Sequence, residues 1–378
     1  MGRQDDQSLP DTILISRSAG ETRSALILAG DAIEIFHRRD GDVQPGAVYL
    51  GKVGKRVPGV NAIFVDIGEA EPGVLSLKPP FPAEGSSKSV TVIVPPRVDK
   101  GCVLRSDSNV VWSKFDKAPK LLQPAIDPVQ DWWARYGDSI NTILCEPRAE
   151  AIRVSKKLSA GAPVDAAPAS QDLFSYFGID EVVELGLNPL VPLPCGGSVI
   201  IESTSAVTAI DVNSGSSSPS AANREAVTVI SRELRRRNIA GHIVIDMIPG
   251  GGHKALPRTL AQAMANDPVP TRIAGLTPMG LIELTRQRTG LSLEEIFLDC
   301  NGELTTKSVG LQALRRAVRA AISSQVANVE VTAAPDVVAL LHGSLRPALA
   351  EAQDCIKGVI KLSIRSDFRR SRIEVHAG

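Results

Sequence analysis

Residues 209–213 read Ala209-Ile210-Asp211-Val212-Asn213, and residues 243–247 read Ile243-Val244-Ile245-Asp246-Met247. Each stretch is a short run of branched apolar residues that closes on an aspartate, a pattern typical of strands buried on both faces of a sheet. In α/β sheets, ligand sites gather beyond the carboxyl ends of such strands. We therefore predict an α/β sheet that brings Asp211 and Asp246 to one site able to hold a divalent cation.

The spacing within the first stretch adds a third polar group to this site. Asp211 and Asn213 stand two residues apart, so an extended backbone places both side chains on the same face. A hard cation such as magnesium binds carboxylate oxygens and keeps several waters, so two aspartates and an amide suffice for phosphodiester chemistry. The pattern also fits a purely structural alternative, in which Asp211 and Asn213 form an Asx turn and Asp246 caps the next loop.

Composition sets broad limits on the class of protein. The 378 residues are 43% hydrophobic and 22% charged, which is ordinary for a globular protein of two or three domains. Lys plus Arg and Asp plus Glu each total 42, so nucleic-acid binding would depend on local basic patches. The five cysteines include no Cys-x-x-Cys pair, which argues against a disulfide framework and a thiolate zinc site and predicts a reducing cytoplasm.

The sequence also predicts no membrane partner. Its start, Met1-Gly2-Arg3-Gln4-Asp5-Asp6, lacks a basic segment leading into an apolar run, and no apolar stretch is long enough to span a bilayer.

Short strands with Gly and Pro between them occupy the first third of the chain. Residues 11–38 predict a hairpin across Gly30-Asp31, and residues 46–75 predict a small β-barrel that ends near Asp107. Three cations of the barrel precede an aromatic residue: Lys52, Lys55 and Arg56, followed by Phe64. Such a combination binds single-stranded nucleic acid through phosphate attraction and base stacking. The alternative is that Phe64 is a core residue and the cations merely solvate a sheet edge.

The remaining chain predicts further α/β units. A helix near residues 128–136 and a strand near 142–145 follow the barrel, and an Ala/Pro-rich loop covers 159–170. An α/β domain begins near residue 193, with helices near 223–238 and 256–266 and an apolar helix before Arg286-Gln287-Arg288. Arg286 and Arg288 could bind a phosphate bidentately or form a salt bridge. A helix near 308–325 and a strand pair at 359–363 and 371–375 complete the chain.

Read together, these segments resemble the catalytic half of the ribonuclease E/G family of bacterial endoribonucleases. The resemblance rests on residues 12–39, 46–68, 193–214, 241–246, 280–288 and 335–375. It implies an α+β and α/β multidomain fold. An RNase H-like unit (1–43 and 109–192) would be interrupted by an S1 barrel of the OB-fold type (44–108), and a DNase I-like catalytic domain (193–297) would precede a linker and a small C-terminal αβ domain (298–378).

The resemblance also implies a function and site residues. Asp211 and Asp246 would bind magnesium, with manganese as a substitute, and Asn213 would support the attacking water or the scissile phosphate. Phe64 and Lys100 fall on RNA-contacting positions of the barrel. We therefore expect a magnesium-dependent endoribonuclease that cleaves single-stranded RNA in cytoplasmic RNA processing or turnover. Alternatives are an RNA-binding relative without nuclease activity and a general metal phosphodiesterase that acts on DNA or small nucleotides.

Several departures from the family pattern modify these expectations. Too little chain lies between Asp107 and Pro128 for the family's sensor of the RNA 5′ end. Only Cys300 remains of the Cys-Pro-x-Cys motif through which protomers share zinc, so we predict no zinc and no homo-oligomer formed by that link. The loop after Asn213 is short, and the barrel's second aromatic is replaced by Val74. RNA binding is therefore expected to differ from that of the family.

Overall fold

The computed structural model describes residues 9–97, 100–113, 115–158, 161–168, 171–250 and 252–378. The chain divides into two compact units. Unit 1 comprises Met1–Asp42, Asp127–Val183 and Glu294–Gly378, and unit 2 comprises Val43–Ile126 and Glu184–Leu293. The expectation of no targeting segment rests on residues 1–6, which lie outside the described residues. Strands and helices are numbered below in chain order.

A five-stranded sheet forms one part of unit 1, in the order β11-β10-β1-β2-β3. Its strands are β1 (Thr12–Ser18), β2 (Glu21–Leu28), β3 (Asp31–Arg39), β10 (Thr142–Glu146) and β11 (Val164–Ala166). The predicted hairpin is confirmed, because β2 and β3 join through Ala29 and Gly30, whose φ angles of 50° and 88° suit a tight hairpin turn. Strand β11 lies within the segment predicted to be loop.

Helices cover this sheet and fix its core. They are α1 (Pro128–Tyr136), α2 (Arg148–Lys157) and α3 (Leu173–Tyr176), and α4 (Ile179–Gly186) follows them in the chain. The buried Trp132 of α1 packs among Ile13, Leu26 and Ile143, and its indole N–H donates to Glu34 at 2.6 Å. The helix and strand predicted near 128–136 and 142–145 are therefore confirmed.

The end of the chain forms a second, smaller sheet in unit 1. Its elements are α8 (Thr306–Ser324), β18 (Asn328–Ala333), α9 (Pro335–His342), α10 (Arg346–Ile356), β19 (Val359–Ile364) and β20 (Glu374–Ala377), preceded by α7 (Leu293–Phe297). The order is β19-β18-β20, so the two strands predicted to pair with each other both pair with β18 instead. Leu311, Leu314 and Ala317 of α8 are buried against this sheet's core.

A buried charge cluster in unit 1 joins β2 and β3 to α8. The carboxylate of Glu21 is fully buried and accepts hydrogen bonds from Arg39 Nε at 3.2 Å and Arg315 Nη1 at 2.5 Å, and it lies 3.2 Å from His37 Nδ1. Burial alone would raise the pKa of Glu21, but Arg315, His37 and Arg39 hold it well below its usual range. Burial also lowers the pKa of His37.

Unit 2 contains a closed five-strand barrel, as predicted. The sheet order is β5-β6-β8-β7-β4-β9, and pairing of β5 with β4 closes the barrel. The strands are β4 (Val48–Arg56), β5 (Ala62–Asp66), β6 (Gly73–Ser76), β7 (Ser87–Val94), β8 (Val103–Ser106) and β9 (Lys120–Gln123). Strand β8 ends where the sequence predicts the barrel's end, but β9 pairs with β4 and so extends the sheet beyond that point.

The second sheet of unit 2 carries the two aspartates. Its order is β12-β13-β14-β15-β17-β16. The elements are β12 (Leu190–Pro192), β13 (Ser198–Ser203), β14 (Thr208–Asn213), α5 (Pro219–Arg236), β15 (Gly241–Asp246), α6 (Leu256–Ala263), β16 (Thr271–Leu276) and β17 (Ile282–Arg286). Strands β14 and β15 are parallel and are connected through α5, whereas β13, β16 and β17 pair antiparallel with their neighbours.

Two predictions about this sheet are wrong. Strands β14 and β15 are not buried on both faces: Ile210, Val212, Ile243 and Ile245 pack with residues of α5 and α6, while the opposite face is open. The apolar helix predicted before Arg286 is strand β17. Its residues alternate between buried Ile282 and Leu284 and exposed neighbours, which is the period of a strand.

The two buried cysteines, Cys102 and Cys145, have unreactive thiols. Burial raises the pKa of the thiols of Cys102 and Cys145 to about 12, so both stay protonated at neutral pH. Cys300 and Cys355 are exposed. In the part of the chain that the structure describes, no helix combines the length and apolarity needed to cross a bilayer.

Candidate active site

The two aspartates lie side by side on neighbouring strands. Asp211 of β14 is the register partner of Asp246 of β15, and adjacent strands run about 4.8 Å apart. Both side chains are exposed on the open face of the sheet. The Asn213 amide donates to Asp211 Oδ2 at 2.8 Å, a contact between side chains rather than the backbone contact of an Asx turn. The structure therefore brings Asp211, Asn213 and Asp246 together.

The open face around the pair carries a mixture of apolar, polar and charged side chains. The side chains that share it are Ser198, Ile200, Glu202, Ala209, His242, Val244, Arg272, Glu283 and Thr285. Ile200 is the register partner of Asp211, so an apolar side chain adjoins the pair on the β13 side. Glu202 is the register partner of Ala209, so it lies diagonal to Asp211 on the neighbouring strand. Glu283 is the register partner of Val244, so it lies diagonal to Asp246 in the same way.

Helix α5 holds the chain that leaves β15. Asn223, which is 4% exposed, donates from Nδ2 to the carbonyl of Ile248 at 2.8 Å and accepts from the Ile248 N–H at 3.1 Å. Ile248 stands two residues beyond Asp246, so this amide fixes the direction in which β15 ends. The sequence analysis missed Asn223. Its signal is a polar residue within the apolar stripe of Ala222, Ala226 and Ile230.

A second set of contacts holds the turn beside Asn213. Glu225 of α5 accepts from the N–H of Cys195 at 2.8 Å, and Ser217 donates to the Cys195 carbonyl. Gly197 lies directly on the chain leaving β14: a Cβ at this position would be 2.3 Å from the Asn213 carbonyl oxygen. Glycine is therefore required there, and the loops around the aspartates are fixed by α5 and by this close approach.

The donors at the site fit a lightly coordinated hard cation. Within the described residues, no group of three or more His, Cys, Asp and Glu is arranged to hold a metal ion. Zinc in structural sites usually has four protein ligands, whereas magnesium is commonly bound by one or two carboxylates together with water and substrate phosphates. Asp211 and Asp246 match the second pattern.

Most of the predicted RNA-binding residues lie on the barrel surface. Lys52, Lys55 and Arg56 of β4 are exposed, and so is Lys100. The Arg56 guanidinium lies over the Phe81 ring at 4.3 Å, beside a pocket of about 420 Å³ formed by Arg56, residues 57–61 and Phe81. Phe64 is half-buried. The structure therefore presents a basic edge, with Phe64 partly accessible.

The prediction that Arg286 contacts RNA is wrong. Its side chain is 2% exposed, and Nε and Nη2 donate to Asp267 at 2.9 and 3.2 Å. Its Nη1 donates to the Ile239 carbonyl at 2.8 Å. Because β17 is a strand, Arg286 points to the buried face, where it forms an internal ion pair. Arg288 is half-buried beyond the strand's end, and its contact with RNA stays a prediction.

Comparison with known proteins finds a family match over the region that contains these residues. The model of the Ribonuclease E/G family matches residues 104–289, which include Asp211, Asn213 and Asp246. This part of the chain is similar to the ribonuclease E/G family. The family match begins within β8, so it leaves out most of the barrel.

Curated relatives named ribonuclease E or ribonuclease G match between 37% and 54% of the chain. Ribonuclease E of Synechocystis sp. is 37% identical over 181 residues, which are 43% of this chain and 27% of the relative. Ribonuclease G of Salmonella typhimurium is 30% identical over 223 residues, 54% of this chain and 46% of the relative. Ribonuclease G of Haemophilus influenzae is 34% identical over 155 residues, 37% of this chain and 32% of the relative. The matches thus span less than half the length of these relatives.

Proposed function

We propose that this chain is a magnesium-dependent endoribonuclease that cleaves single-stranded RNA. The observation that carries the proposal is the register pairing of Asp211 with Asp246, with Asn213 bonded to Asp211, inside the region that matches the family. Two exposed carboxylates on neighbouring parallel strands, together with an amide, form a set of metal and phosphate ligands suited to phosphodiester hydrolysis.

Each residue of the site has a distinct part in the proposed reaction. Asp211 and Asp246 would hold Mg²⁺, which when bound activates a water and stabilises negative charge on the phosphate. The Asn213 amide has two N–H donors, and Asp211 accepts one of them. Its second N–H remains to donate to a phosphate oxygen or to orient the attacking water. Asn223 and Gly197 keep these groups in place through the backbone.

The domain assignments implied by the family resemblance support substrate binding by the barrel. We assign 44–108 to an S1-like barrel, 1–43 with 109–192 to an RNase H-like unit, 193–297 to a DNase I-like catalytic domain and 298–378 to a linker and C-terminal domain. Lys52, Lys55, Arg56, Lys100 and Arg288 would attract RNA phosphates, and Phe64 would stack on a base. Such binding tolerates many sequences, because every base has a stacking face.

The same proposal extends to cellular context. The short connection from β8 to α1 suits cleavage that does not depend on a 5′ monophosphate. The cytoplasm is the proposed location, and any homo-oligomer would form without the family's zinc link.

The substrate class can be tested with matched labelled oligonucleotides. We expect magnesium-dependent internal cleavage of a single-stranded RNA, with much slower cleavage of the same sequence as duplex RNA or DNA, and equal rates for 5′-phosphate and 5′-hydroxyl ends. Chelation with EDTA should stop the reaction. Tight RNA binding without cleavage would favour the non-catalytic alternative, and equal cleavage of DNA would favour a general phosphodiesterase.

Replacing Asn223 with alanine should increase the magnesium concentration that cleavage requires. The substitution removes two hydrogen bonds and leaves the Ile248 backbone groups unpaired, which costs about 1–3 kcal/mol of stability. Because Asp246 loses its fixed position, the magnesium concentration for half-maximal cleavage should rise severalfold. Val229→Ala, on the same helix, serves as a destabilised control whose magnesium requirement should not change. Equal magnesium requirements in both variants would show that Asn223 is purely structural.

A further inference from the structure

The connection from β8 to β9, residues 107–119, exposes large apolar side chains. Phe115 is 93% exposed and Trp112 is 37% exposed, and Val111 beside them is also exposed. Single exposed apolar residues are common, but grouped ones on a defined surface usually mark a binding site. We refer to the described residues of this connection, 107–113 and 115–119, as the aromatic loop.

Both ends of the aromatic loop contact the barrel. At its start, Asp107 accepts from Thr91 Oγ1 at 2.7 Å and from the Asn109 N–H at 2.8 Å. At its end, Pro119 packs beside Gly68, 3.6 Å from where a Cβ would lie. The loop is therefore attached to β7 at one end and to the end of β5 at the other.

The turn that carries Phe115 is also hydrogen-bonded on both sides. Asp116 accepts from the Ser113 N–H at 2.8 Å and from Lys120 Nζ at 2.6 Å, while Ser113 Oγ accepts from the Phe115 N–H at 3.2 Å. The Lys120 hydrogen bond, followed by the Ser113 N–H, lowers the pKa of Asp116, so it is ionised at neutral pH. The backbone N–H of Phe115 is thus already hydrogen-bonded, which reduces the entropy lost when its side chain binds a ligand.

The aromatic loop continues an apolar row on the barrel's outer face. Phe64 of β5 is the register partner of Val74 of β6, which is the register partner of Val103 of β8. Arg105 follows two residues after Val103, so it points to the same face, and it is exposed. The loop begins two residues further on. Phe64 thus stands at one end of a row whose other end leads into Trp112 and Phe115.

The charges beside the loop favour a polyanion as its ligand. Arg105 and Lys117 are exposed, Lys120 is paired with Asp116, and the Asp107 carboxylate accepts from Thr91 and from the Asn109 N–H. Aromatic side chains next to exposed cations are the combination that binds single-stranded nucleic acid.

We propose that the aromatic loop is a second stacking contact for single-stranded RNA, in which Phe115 and Trp112 stack on bases that continue from Phe64. This inference rests on the proposed function, since it takes RNA as the substrate. The aromatic loop would supply aromatic contacts to a barrel in which Val74 replaces the family's second aromatic residue.

Fluorescence anisotropy with a labelled single-stranded RNA tests the proposal directly. Phe115→Ala and Trp112→Ala should each weaken RNA affinity by about tenfold, within the range for loss of one stacked base. Phe115→Tyr should restore the affinity, because tyrosine also stacks. Tyr176→Ala is the matched control, since Tyr176 is 70% exposed on α3, and its affinity should equal that of the parent.

Cleavage kinetics separate this proposal from the nuclease proposal. Phe115→Ala should raise KM with little change in kcat, because the loop holds substrate without touching the scissile bond. Unchanged RNA affinity in both alanine variants would overturn the loop proposal and point to a protein partner instead. A parent that binds RNA without cleaving it would contradict the nuclease activity, while the anisotropy of the variants would still decide the loop's role.

Discussion

Replacing Asp211 or Asp246 with asparagine is expected to slow magnesium-dependent RNA cleavage by about a thousandfold. A bound cation contributes several kcal/mol of transition-state stabilisation, and each 1.36 kcal/mol is a factor of ten in rate. Asparagine keeps the size of the side chain but removes the negative charge that we propose holds the cation. RNA affinity should stay within about twofold of the parent, because we propose that the barrel provides most of the substrate binding.

Combining the substitutions tests whether the two carboxylates act as one site. The double variant should be no slower than either single variant, because residues that act as a unit give non-additive losses. Glu283→Gln is the control, since Glu283 is an exposed carboxylate on the same sheet face, diagonal to Asp246. Loss of activity in Glu283→Gln as large as in Asp246→Asn would contradict the assignment of the pair.

Replacing Glu21 with glutamine is expected to lower the free energy of unfolding of unit 1 by about 3–5 kcal/mol. Removing one partner of a buried ion pair leaves the other charge uncompensated, and here Arg39 and Arg315 both lose their carboxylate. Urea unfolding followed by tryptophan fluorescence in a Trp112→Phe background would report on unit 1, because Trp132 and Trp133 both lie in α1.

An exposed ion pair provides the control for Glu21. Asp131 pairs with Arg135 at i,i+4 on α1 and is largely exposed, so Asp131→Asn should change the unfolding free energy by less than about 0.5 kcal/mol. Similar losses in both variants would show that the Glu21 cluster has no special role in stability.

The Glu21 cluster also predicts how stability depends on pH. Both Glu21 and His37 have lowered pKa values when folded, so the folded state binds fewer protons than the unfolded state. Their contributions are complete at neutral pH. As pH falls, stability should decline below about 6.5 through His37 and further below about 4.5 through Glu21. In Glu21→Gln the second decline should be smaller, which urea midpoints at a series of pH values would measure.

The sequence predicts the adjacency of Asp211 and Asp246 because two similar strands joined by a helix tend to lie parallel and to end at the same edge of a sheet. It does not predict the open face. Ile200 and Val244 occupy that face, so the strands contain enough apolar residues to look buried on both sides. The segment before Arg286 is predicted as a helix for a similar reason, because a short apolar run does not distinguish a helix from a strand.

Other features depend on contacts between distant segments, which a local pattern cannot reveal. Asn223 matters through the backbone of Ile248, and Arg286 is neutralised by Asp267. Strand β9 joins the barrel by pairing with β4, although more than sixty residues separate them in sequence. The 93% exposure of Phe115 is likewise a property of the folded chain. Aromatic letters alone do not indicate whether a ring is buried or exposed.

Binding of Mn²⁺, followed by electron paramagnetic resonance in the absence of RNA, tests most directly whether the aspartate pair holds a cation. Manganese is a suitable probe because it accepts the same oxygen ligands as magnesium. We predict a single site in the parent that Mg²⁺ displaces, that Asp211→Asn and Asp246→Asn abolish, and that Glu283→Gln retains. Undiminished Mn²⁺ binding in both asparagine variants would contradict the assignment of Asp211 and Asp246 as the metal ligands.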